Sequence, residues 1–269
     1  MAPPLFSSLS KCVSDVLSGF SYDARLSQPI SVYSAPLTLK VAQKKADAPA
    51  TFEVVHSTTV ADAKLETTVT GGGDVNIKAT HAKLLSNMKL TASTDLGSAK
   101  IESEYTGISD MAVKVVANLP SAKCEGSITK ELGKVAGGPL TVGMEVGGNA
   151  SNGKLTKLGF GALYGHGGYN LAASLTDKGD TLKVGCATSA YSGTVAAEVV
   201  YKMSKTSIVG TAGYATTLAT GEKLKTTVDS SGTAACSLGL TSGPSSVTLC
   251  SSMGVDFGPP KVGVKIERK

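Results

Sequence analysis

Lys40, Lys64, Lys78, Lys89, Lys100 and Lys114 are the residues of this chain best placed to do chemistry. Each stands beside or between apolar residues, as in Leu39-Lys40-Val41, Ile77-Lys78-Ala79, Met88-Lys89-Leu90 and Val113-Lys114-Val115. Lys123, Lys183, Lys223, Lys225 and Lys265 repeat the arrangement further along. Ammonium groups spaced in this way attract anions without holding or transforming them. Glu53, Glu66, Glu102, Glu104, Glu125 and Glu145 fall in the same alternation. The surface so formed is therefore mixed in sign with a basic excess.

Covalent or metal chemistry has no comparable support. His56, His81 and His166 are isolated, and each reads as a lumen or turn histidine. The five cysteines, Cys12, Cys124, Cys186, Cys236 and Cys250, are odd in number, widely spaced and without a C-x-x-C. They suggest neither a disulfide framework nor a zinc site and suit a reducing setting. Gly159-Phe160-Gly161, with Gly165, Gly167 and Gly168 nearby, departs from G-x-G-x-x-G and precedes no helix, so it reads as relief of crowding in a sheet. Asn149-Ala150-Ser151 fits a glycosylation sequon, a match common by chance. The expectation is no enzyme, no cofactor and no metal.

The elements that must position the lysines follow from periodicity. Leu9, Val13, Val16, Leu17 and Phe20 recur at helical spacing, with Pro4 suited to a first turn and Gly19 to a stop or hinge. Residues 1–20 are expected to carry one amphipathic helix, over about 5–18. From Leu37 the period becomes 2. Leu37-Thr38-Leu39-Lys40-Val41 alternates, and so do Val75-Asn76-Ile77-Lys78-Ala79 and Val262-Gly263-Val264-Lys265-Ile266. Each such strand has one apolar and one polar face. Turn clusters such as Gly71-Gly72-Gly73-Asp74, Ser151-Asn152-Gly153 and Ser230-Ser231-Gly232 separate the strands. Their pitch suggests about 17 to 20 antiparallel strands over residues 21–269.

Composition decides which way the faces point. With no Trp, 5% aromatic residues and 31 Gly, yet 41% hydrophobic residues, the chain lacks the bulk for a deep dry core but is too apolar for disorder. A single apolar layer around a wet interior suits it. The net charge of +5 is mild and spread along the chain, which argues against a nucleic-acid partner. No stretch is apolar enough for a transmembrane helix, and Lys11 and Asp15 interrupt residues 1–20 as a secretory signal. The reading is all-β: a transmembrane antiparallel barrel whose N-terminal helix lies in the lumen.

Three pieces carry a resemblance. Ser8-Leu9-Ser10-Lys11-Cys12-Val13-Ser14-Asp15-Val16-Leu17, Ala63-Lys64-Leu65-Glu66-Thr67 and Asn87-Met88-Lys89-Leu90-Thr91 resemble segments of the voltage-dependent anion channels, the eukaryotic porins of the mitochondrial outer membrane. The third departs from the family's Gly-Leu-Lys-Leu-Thr. The glycine-rich hinge is reduced to Gly19, and the family's membrane-facing Glu has no counterpart. The resemblance, not the turn pitch, implies 19 strands. It also implies a passive, weakly anion-selective pore for ATP, ADP and phosphate, with Lys11 and Lys89 contacting anionic metabolites and nucleotides. Lys40, Lys64, Lys78, Lys100 and Lys114 would set selectivity. Partners on this reading are membrane lipid and anionic solutes, with room for a homo-oligomer. The rivals are the protein-import pore of the same membrane and a soluble or surface β-rich structural protein.

Overall fold

A computed structural model describes residues 3–18, 23–32, 35–43, 49–95, 97–256 and 258–268. A 3-10 turn at Phe6–Ser8 leads into one α-helix, α1 (Lys11–Leu17). Then follow β1 (Ala24–Val32), β2 (Ala35–Gln43), β3 (Thr51–Val60), β4 (Ala63–Thr70), β5 (Val75–Leu85) and β6 (Met88–Thr94). The wall continues through β7 (Ala99–Tyr105), β8 (Met111–Leu119), β9 (Lys123–Val135), β10 (Gly138–Asn149), β11 (Lys154–His166) and β12 (Tyr169–Thr176). It ends with β13 (Thr181–Ala190), β14 (Gly193–Lys202), β15 (Ser207–Thr217), β16 (Lys223–Asp229), β17 (Ala234–Ser242), β18 (Ser245–Met253) and β19 (Lys261–Arg268). Each strand pairs antiparallel with the next, and β1 pairs parallel with β19, closing a 19-stranded barrel.

The period-2 alternation sorts side chains because directly paired residues share a face. Phe52, Ile101, Val115, Phe160, Leu171, Val184 and Val199 form part of an exposed apolar outer surface. Such a surface is stable against hydrocarbon and unfavourable against water. The buried core is instead small and inside the barrel: Val13 and Val16 of α1 pack on Ala187 of β13 and Ala196 of β14.

The N-terminal segment is helical over a shorter stretch than its apolar stripe predicts. The α-helix covers only Lys11–Leu17, and the backbone tightens to a 3-10 turn before it. That break carries Phe6 and Leu9 toward Gly143 and Gly161 of the wall, where a Cβ would stand 3.0 Å from Phe6 Cδ2 and 2.9 Å from Leu9 Cδ1. The expected hinge at Gly19 and the stripe residue Phe20 lie outside the described residues.

Candidate functional site

The residues under α1 identify the inner face, and register carries that identification around the barrel. Ala187 pairs with Asn170 and Ala196, and Ala196 with Gly213. Continuing from Ala215 to Lys225 and Ser237, then through Cys250, Gly263 and Lys265, the inward row reaches Arg25 of β1 and Ser27 beside Lys40 of β2. Lys40 pairs with Glu53, Glu66 with Lys78, Lys78 with Ser93, Ser93 with Lys100, and Lys89 and Lys114 each with Glu104. Lys64 lies two residues from Glu66 on the same face. Lys40, Lys64, Lys78, Lys89, Lys100 and Lys114 therefore all stand on the lumen face.

Several carboxylates inside the barrel are engaged by neighbouring lysines, while Glu53 and Glu198 make no ion pair among the described residues. Lys89 lies 3.3 Å from Glu104, Lys114 3.2 Å from Glu104, and Lys100 3.1 Å from Glu102, while Lys114 also contacts Glu102. These five residues make one alternating network across β6, β7 and β8. Lys157 of β11 bridges Glu125 of β9 and Glu145 of β10 at 3.3 and 2.9 Å. Lys64 and Glu66 are 3.4 Å apart. Lys40, Lys78, Lys183 and Lys223 make no ion pair among the described residues. A lysine beside a carboxylate presents a dipole to a passing ion, whereas an unpaired one presents a full charge.

Lys11 projects from the exposed side of α1 and pairs with Asp15 one turn later at 3.4 Å. The opposite side of the segment is fixed at both ends. Buried Thr129 of β9 donates from Oγ1 to the Pro4 carbonyl at 2.6 Å, and Lys225 of β16 donates from Nζ to the Asp15 carbonyl at 2.6 Å. The second bond satisfies a carbonyl in the last turn of α1 with a cation, which suits the helix dipole. Burial pushes the Cys12 thiol above its ordinary range. Neither clamp is evident in sequence, since 125 and 210 residues separate the partners.

His56 and His81 are neither lumen nor turn residues. Register places His56 opposite Thr67, and His81 opposite Ala63 and Leu90, all on the outer face. One residue of parity makes the difference, because the neighbouring Val55 and Thr80 point inward. His166 ends β11 and stacks on Tyr164 with ring centroids 6.4 Å apart. Among the described residues no group of three His, Cys, Asp or Glu could hold a metal ion.

A family model described as eukaryotic porin matches residues 2–263. No curated protein matches the chain. Among solved structures, a triple mutant of the Rhodopseudomonas blastica porin aligns with 12% identity and a TM-score of 0.48, covering 90% of this chain and 94% of its own. A second mutant of that porin aligns with 12% identity and a TM-score of 0.45 over the same shares.

Proposed function

Because the chain belongs to the eukaryotic porin family, whose barrels are membrane-embedded pores for small solutes, we propose that it is a passive, weakly anion-preferring channel of the mitochondrial outer membrane. It carries metabolites such as ATP, ADP and phosphate and performs no chemistry on them. The observation that carries this reading is the sign of the inner wall. The carboxylates of Glu66, Glu102, Glu104, Glu125 and Glu145 sit in ion pairs, and among the described residues the unpaired Glu53 and Glu198 are outnumbered by Lys40, Lys78, Lys183 and Lys223, which also make no ion pair. A wall of this kind raises the local anion concentration while leaving every contact weak enough to exit, as conduction requires.

Within this reading Lys11 and Lys89 touch phosphates in transit, using the N–H groups that Asp15 and Glu104 leave over. Lys40, Lys64, Lys78, Lys100 and Lys114 set the wider field. The clamped helix narrows the path on the side of β9–β16, and its release is the natural basis for a voltage-dependent change. The decisive experiment is planar-bilayer conductance of the purified full chain under a potassium chloride gradient. A reversal potential on the chloride side is expected; one at zero or on the potassium side would sink the anion reading.

A further inference from the structure

A cavity of about 660 Å³ opens at the mouth formed by the β13–β14 and β15–β16 turns, and the permeation scheme draws on one of its lining residues, Lys223, only as part of the general field. Its lumen-facing lining is Ser189, Thr194, Ala215, Thr217, Lys223 and Lys225. Register sets these in two adjacent rows. Ser189, Thr194, Ala215 and Lys225 pair in succession across four strands, and Thr217 pairs with Lys223 beside them. Two lysines and three hydroxyl-bearing residues thus line one shelf. No carboxylate is among its described lining residues, and Asp15, which shares the adjoining cavity with Ser189, Thr194 and Ala215, is paired with Lys11.

The ammonium groups differ in readiness. Lys225 is held in place by its bond to the Asp15 carbonyl, which leaves two of its three N–H donors to point elsewhere. Lys223 makes no ion pair among the described residues. The nearest acids are engaged: Asp15 pairs with Lys11, and Glu222, next to Lys223 in the chain, accepts from the Thr220 hydroxyl. Residues two apart on one strand face lie about 6.6 Å from each other. A chloride or a single phosphate reaches one such ammonium at a time. Two linked phosphoryl groups are long enough to lie across both while the hydroxyls donate to the remaining oxygens.

From this geometry we propose that the shelf is a docking site for the diphosphate part of an anion, which loads solutes at this mouth before they pass α1. The inference rests on the lumen being an anion path. The shelf is separate from Lys89, whose partner lies on β7, and meets the Lys11–Asp15 pair only through Lys225, whose Nζ donates to the Asp15 carbonyl; Lys223 stands at the rim end of β16.

The test uses the full-length chain in planar bilayers, with inorganic pyrophosphate as the probe and chloride as the current carrier. Pyrophosphate is expected to reduce the chloride current. Lys223→Gln should raise the half-blocking concentration about threefold, the scale of one exposed charge contact, and Lys223→Arg should keep it near the original value. Lys178→Gln removes the same charge from the opposite mouth and should leave the block unchanged. Equal shifts in Lys223→Gln and Lys178→Gln, or none in either, would overturn the shelf. The chloride reversal potential, read in the same membranes, reports separately on the anion reading. A Lys223-dependent block in a channel without chloride preference would keep the shelf and remove that reading.

Discussion

At Gly161 a Cβ would stand 2.9 Å from Leu9 Cδ1 and 3.2 Å from Phe6 Cε2, and at Gly185 3.0 Å from Val13 Cγ1. These glycines serve by lacking a side chain: with Ala187 and Ala196 they leave a track on the inner wall into which the N-terminal segment fits. Gly161→Val fills the place of Leu9 and Phe6. Each apolar side chain driven from the wall forfeits about 1.5–3 kcal/mol of burial, so the segment should lift while the barrel still forms. Cys12 is the native reporter, since its half-buried thiol is held back both by cover and by a raised pKa. Maleimide labelling of Cys12 should quicken several-fold in Gly161→Val, and an unchanged rate would mean the track does not hold the segment. The glycines of this track are visible in sequence, but their purpose is not, because Leu9 and Gly161 lie far apart in the chain. The lysines are more legible. A two-residue period assigns each one a face directly, and Lys40, Lys64, Lys78, Lys89, Lys100 and Lys114 all fall where that period puts them.

α1 has only seven residues, too few for a stable helix in water by itself. Its two clamps and its apolar face therefore do more for its shape than its own propensity. Lys225 is the clamp that can be tested cleanly. Lys225→Met keeps length and loses the donor to the Asp15 carbonyl, a loss of about 1–2 kcal/mol for a charge-assisted bond partly open to solvent. Lys225→Arg restores a cation able to reach it. Labelling of Cys12 should rise roughly tenfold in the first and stay near wild type in the second; identical rates in both would assign the docking to the apolar face alone. The stripe of Leu9, Val13 and Val16 announces the helix, but its start does not follow from the stripe. The 3-10 break depends on where the wall has room for Phe6. Two hairpins were equally hidden. Ala61-Asp62 and Tyr191-Ser192 turn with positive φ at both residues, a conformation usually marked by Gly or Asn, so composition gives no signal there.

Across the whole lumen, selectivity is a sum over many weak charges. Replacing Lys11 and Lys89 by Glu moves two positions from positive to negative and sets new carboxylates beside Asp15 and Glu104. The reversal potential of the double variant under a chloride gradient should shift toward the cation side. Because salt screens such charges beyond about 8–10 Å at physiological strength, the shift should shrink at 1 M salt. A double variant indistinguishable from wild type at low ionic strength would place both side chains away from the ion path. Turn pitch bounds the number of strands without deciding whether it is odd, since that depends on how β1 meets β19 across almost the full chain. The meeting itself is short: four residue pairs, Ala24–Ser27 against Val264–Glu267, where β1 and β2 share nine. Every other wall joint links neighbours in the chain and can zip as soon as a hairpin exists. This one waits for the last strand, and until it docks, β1 and the strand most recently added are open edges, able to accept a strand from any other chain. Biogenesis therefore has its hazard at a single line, and whatever guides the chain into the bilayer has two edges to shield rather than a surface.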